Sequence, residues 1–196
     1  MKKLKPLAML LAIAILVTSI TGCSNKKEVE FGASVKKFMD EVSVNAGAIY
    51  PFCHFESERL RADGIGDEEM DEAYFNDCAD AYAAQLLIDK SKGDDVSDLS
   101  LQEMTVRAAW IQEEYTKIKA INVKAENFDE LQTAVDQAYE AHQRLLALST
   151  TLRGPADDFL EEAGDLLTAA STARQDAIDL LQPYYQKSGF VQLINK

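Results

Sequence analysis

Apolar residues return every three or four positions along almost the whole chain, and no stretch alternates cleanly enough to predict a strand. The longest uninterrupted run is Ala156, Phe159, Ala163, Leu166, Ala170, Ala173, Ala177, Leu180 and Tyr184, the seam of a helix packed in a bundle. Its alanines allow a neighbour to come close. Gly154-Pro155 stops the preceding helix and starts this one, Pro183 kinks or ends it, and Gly189 closes the segment. A second stripe runs through Phe128, Leu131, Val135, Ala138, His142, Leu145, Ser149 and Leu152, with Asn127 as its cap. A third carries Leu101, Met104, Ala108, Ile111, Tyr115 and Ile118, opened by a Ser100–Glu103 capping box. The apolar phase slips between these two, which predicts a break near 122–127. Nearer the start, Phe31, Val35, Phe38, Val42, Asn45, Ile49 and Phe52 form a stripe that Pro51 is expected to kink. After a turn at Asp63–Gly66, Met70, Tyr74, Cys78, Ala81, Gln85 and Ile88 form the last one. Five helices with short connections predict an all-α, up-and-down antiparallel bundle over residues 31–196.

The first segment is of another kind. Lys2, Lys3 and Lys5 precede a fourteen-residue stretch, Leu7–Ile20, in which only Thr18 and Ser19 are polar. As a helix it spans roughly 21 Å, short of the ~30 Å hydrocarbon layer. A basic start, a short apolar core and small residues after it describe a secretory signal over 1–22. Its end, Ile20-Thr21-Gly22-Cys23, resembles the lipobox of bacterial lipoproteins. That resemblance implies cleavage before Cys23, a diacylglycerol on its thiol and an acylated amino terminus, with residues 23–30 as a tether. Ile20 stands where Leu is more usual. Ser24, rather than Asp, resembles the sorting pattern for the outer membrane in a cell with two membranes. In a cell with one, the protein faces outward from the plasma membrane.

Charge changes the picture next. The chain holds 20 Lys+Arg against 33 Asp+Glu, a net −13, which argues against a nucleic-acid partner. So acidic a body is repelled by anionic headgroups and projects away, with Lys26 and Lys27 either at the headgroups or simply solvated residues of the tether. With Cys23 assigned to lipid, Cys53 and Cys78 remain as an even pair in an exported protein. A hairpin pivoting at Gly64–Gly66 brings them level, so a disulfide is expected. Two buried free thiols are the other reading.

Candidate chemistry is sparse. Neither His54 nor His142 follows a Glu by three residues, as a di-iron bundle requires, and there is no C-x-x-C-H haem motif. His54 beside Cys53 falls short of the three or four ligands zinc needs. No nucleophile elbow, phosphate-binding loop or zincin motif is present. Asp67-Glu68-Glu69 and Asp157-Asp158 suit helix starts, and Trp110 is either a packing residue or an anchor for a partner. These features favour a non-enzymatic, lipid-anchored envelope protein without cofactor or metal, acting on an envelope protein partner. The alternative is a ligand-, haem- or metal-binding bundle using His142, with Met39, Met70 or Met104 as a second ligand.

Overall fold

The computed structural model describes residues 5–64, 72–92, 101–150 and 155–195, with the side chains of 5–24, 72, 73 and 101 outside that description. All elements among the described residues are helical: α1 (Lys5–Asp63), α2 (Glu72–Lys92), α3 (Leu101–Ala120), α4 (Phe128–Thr150), α5 (Ala156–Leu180), a 3₁₀ turn (Gln182–Gln186) and α6 (Phe190–Ile194). The expected break between the third and fourth stripes is residues 121–127. The Ser100 cap, the acidic run 67–69 and Gly154 lie outside the described residues.

Polar contacts fix the directions. Asp40 with Arg174 and Ser57 with the Ala156 carbonyl set α5 antiparallel to α1. Glu41 with Arg107 and Asn45 with the Met104 carbonyl do the same for α3. On α2, Arg59 binds Asp77 and Tyr74 binds Asp63, again antiparallel. These registers stack α2 and α3 end to end along α1. The bundle therefore has four columns: α1, the split pair α2/α3, α4 and α5, running up, down, up and down. One long helix faces two short ones because α1 continues through Pro51, where the sequence suggested a kink. The missing N–H of a proline costs one hydrogen bond of the ladder, and flanking burial of Ile49, Phe52 and Cys53 offsets it.

Where α3, α4 and α5 all surround α1, the core is dense, with Phe31, Phe38, Met39, Ile111, Leu131 and Tyr184 fully buried. Tyr115 stacks on Tyr139 with centroids 3.9 Å apart. Gly32 lies under Tyr184, where an added Cβ would meet the ring at 2.3 Å, so no larger residue fits without displacing that ring. Tyr184 in turn donates to the Glu126 carbonyl at 2.6 Å, closing this end of the bundle. Asn127 does not cap α4 with its side chain. It takes a left-handed conformation, φ 55°, and its amide donates to the Leu180 carbonyl, joining the start of α4 to the end of α5. As Pro183 implies, α5 stops at Leu180, and the proline falls in the first turn of the 3₁₀ segment.

The stretch expected as a tether is part of this body. Residues 25–30 continue α1, Val29 is buried, and Glu28 pairs with Lys187 at 2.9 Å.

Candidate functional site

Besides Ser57, bonded to α5, and Ser149, bonded within α4, two polar inclusions interrupt the core, each centred on α1. The first joins three columns. Asn45 donates one amide hydrogen to the Met104 carbonyl at 3.1 Å and the other to Nε2 of His142 at 2.9 Å. The other ring nitrogen, Nδ1, lies 3.3 Å from the side-chain nitrogen of Gln143. Burial depresses the imidazole pKa from 6.5 to about 4, so the ring stays neutral across the physiological range. For His142 to ligate a haem or metal through Nε2, this bond to Asn45 would have to break. Met104 contributes a backbone oxygen here, Met39 is fully buried, and Met70 lies outside the described residues. His54 is on the surface beside Glu58. Among the described residues no three His, Cys, Asp or Glu side chains gather to hold a metal ion.

The second inclusion sits where α1 meets α2. Glu56 has no solvent exposure, and neither carboxylate oxygen has a hydrogen-bond partner. Burial raises its pKa from 4.5 to about 9, so at neutral pH it is an uncharged acid. Cys53 lies one turn before it, and Cys78 faces it from α2. Both thiols are buried and free, and burial pushes both away from ionisation. Tyr82 packs against Phe52 and Phe55, and Arg59 bridges to the Asp77 carboxylate and carbonyl.

The expected Cys53–Cys78 disulfide is absent, and the register shows why. α1 runs to Asp63 and α2 starts at Glu72, and residues 65 and 66 of the Gly64–Gly66 pivot the sequence suggested lie outside the described residues. Asp63 meets Tyr74, Arg59 meets Asp77 and Phe55 meets Tyr82, which puts Cys78 level with about residue 58 of α1. Cys53 is five residues away, roughly 7.5 Å along the axis at ~1.5 Å per residue. Helix axes are themselves ~8–10 Å apart, so the Cα separation exceeds the ~4.4–6.8 Å a disulfide spans.

The surface offers shallow features. A groove of about 490 Å³ between α4 and α5 is lined by Arg144, Asp158, Glu161, Glu162 and Asp165, with Arg144 and Glu162 paired across it. Trp110 is 37% exposed, one turn from the more open Val106. Asp157, in the first turn of α5, pairs with Arg61. No helix among the described residues is long and apolar enough to cross a membrane. Cys23, the residue with the most specific sequence context, belongs to α1 by its backbone, and its side chain is outside the described residues.

Glu56 was open to recognition in the sequence. The stripe Asn45, Ile49, Phe52 continues to 56 and Leu60 at the same spacing, so an acid at 56 falls on the inner face. Comparison with models of known families, with curated proteins and with solved structures gave no match.

Proposed function

We propose that this chain is a lipid-anchored protein of the bacterial cell envelope whose helical body acts by binding a partner rather than by catalysis. The observation that carries the proposal is Ile20-Thr21-Gly22-Cys23, placed directly after a basic start and a short apolar core. Two or three acyl chains, at about 0.8 kcal/mol per buried CH₂, hold such a body at a bilayer stably. The non-catalytic reading draws support from the character of the buried polar groups: a neutral histidine bonded to Asn45, and a neutral carboxyl with no solvent exposure and no hydrogen-bond partner.

The test is expression with a clickable palmitate analogue. The wild-type chain takes up label, loses residues 1–22 and sediments with membranes. Cys23→Ser takes up none, stays unprocessed and leaves the acylated pool. Equal labelling and processing of both proteins refutes the anchor. Crosslinking in intact cells then identifies the envelope partner.

A further inference from the structure

All 33 acidic residues lie between Glu28 and Asp179, so once residues 1–22 are removed both ends of the chain, 23–27 and 180–196, are free of Asp and Glu and hold four lysines. The fold brings these two ends together. α6 packs against the first turns of the α1 body, and Phe190 is buried there. Between them runs a groove of about 450 Å³ lined by Asn25, Lys26, Val29, Gly189, Gln192 and Leu193 among others. Val191 is 44% exposed beside it, with Leu193 and Ile194 half-buried. The carboxylates on this rim are held by lysines: Glu30 by Lys26, and Glu28 and Glu126 by Lys187.

Position completes the argument. α1 is helical without interruption from Lys5, so Cys23 precedes the groove by about 3 Å of helix rise and not by a slack spacer. Whatever surface receives the acyl chains is in reach of α6. We propose that the rim formed by the start of the α1 body and by α6 rests on the phospholipid surface that holds Cys23. Val191 and Leu193 enter the boundary between headgroups and acyl chains, and Lys26 and Lys27 meet the headgroup phosphates. The acidic remainder of the body is repelled by the same surface, so attraction at the rim and repulsion elsewhere stand the bundle upright. This inference rests on the lipid-anchor reading, and its test keeps the two apart.

Full-length acylated protein is reconstituted into vesicles of phosphatidylethanolamine and phosphatidylglycerol with brominated acyl chains. The chain has one tryptophan, Trp110, which the α1–α3 register puts level with about residue 39, roughly 20 Å up the bundle from the rim. A second protein carries Trp110→Phe with Val191→Trp. The indole introduced at 191 is expected to lose at least half of its emission to bromine, and native Trp110 to lose little. Adding Lys26→Glu and Lys27→Glu reduces the quenching at 191 at least twofold. If Val191→Trp disturbs packing, seen as lost helical ellipticity, Asn195→Trp at an exposed position beside α6 gives the same readout. Equal emission at 191 and 110 in protein that carries the acyl mass on Cys23 and floats with vesicles overturns the rim contact and leaves the anchor standing. Quenching at 191 in protein without that mass overturns the anchor and leaves the rim.

Discussion

The two halves of α1 treat a buried polar residue in opposite ways. Where α3, α4 and α5 enclose the helix, the Asn45 amide nitrogen reaches both a carbonyl and an imidazole and ties three columns together, although its Oδ1 has no partner. Where α2 replaces α3 as the neighbour, Glu56 is equally buried and finds nothing. An unsatisfied buried acid survives only by holding its proton, and a paired histidine only by refusing one. The same helix thus carries two titrating groups displaced in opposite directions, each by its burial. The contrast teaches that the chemistry of the facing groups decides: the Asn45 amide hydrogens meet two acceptors, whereas Glu56, beside a Ser57 that bonds to α5, meets no donor.

The largest expected effect of this contrast is a pH profile. For Glu56 the folded pKa, about 9, is above its ordinary 4.5, so its stability term is complete below 4.5 and falls as pH rises to 9. For His142 the folded pKa, about 4, is below 6.5, so its term is complete above 6.5 and falls as pH drops to 4. Each slope is ~1.4 kcal/mol per pH unit, and between 4.5 and 6.5 they cancel. Denaturant titrations should therefore show a level stretch over that interval and a loss of up to ~3 kcal/mol from pH 6.5 to 9. Glu56→Gln flattens the alkaline arm. An alkaline arm that persists in Glu56→Gln contradicts the assignment to this carboxyl.

Next in size is Asn45→Leu, which keeps the volume, leaves His142 Nε2 without the amide and removes the second donor from the Met104 carbonyl, which keeps its bond within α3. We expect a loss of ~2 kcal/mol by chemical unfolding, the usual penalty for stranding a buried polar group. Glu56→Leu at pH 8 should do the reverse and stabilise the fold. If both substitutions destabilise alike, the distinction between the two inclusions fails.

A smaller effect concerns the column itself. Leu87 and Ile88 of α2 are 71% and 48% exposed, and α2's described packing is against α1. Changing both to Ser should alter global stability by less than ~0.5 kcal/mol. Amide exchange should still distinguish the halves, with α2 opening well before α4, because fewer apolar contacts hold it. Uniform protection across α2 and α4 would show that the split column is as firmly held as the rest.

Periodicity made the helices legible, and the phase slip located the 121–127 break, because both depend on local side-chain spacing. The alanine-rich seam of α5 is the plainest case: Ala163, Ala170, Ala173 and Ala177 are all buried as their spacing requires. Register between helices was not legible. It depends on which residues of α1 and α2 face one another, and a shift of two or three residues in the midpoint of a hairpin moves facing positions by twice as many. Nor did Asn127 announce its role, since a cap and a left-handed junction favour the same residue. Tyr184 and Phe190 close the end of the core, where Gly32 leaves room for the tyrosine ring. The Asn45–His142 bond joins residues 97 apart in sequence, and no local pattern pairs them.

The register itself yields the smallest expected effect, which is none. With Cys53 and Cys78 out of reach of each other, treating folded protein with a small disulfide oxidant should leave its unfolding midpoint unchanged. After denaturation and alkylation, both residues should carry the alkyl group. A 53–78 crosslink would close a 26-residue loop and raise stability by ~3 kcal/mol in the chain-entropy model. A rise of that size, with both thiols lost from the alkylated mass, would mean that α2 slides along α1 by more than a turn. Glu56 would then face different neighbours, and the lone carboxyl of this half could find a donor that the observed register denies it.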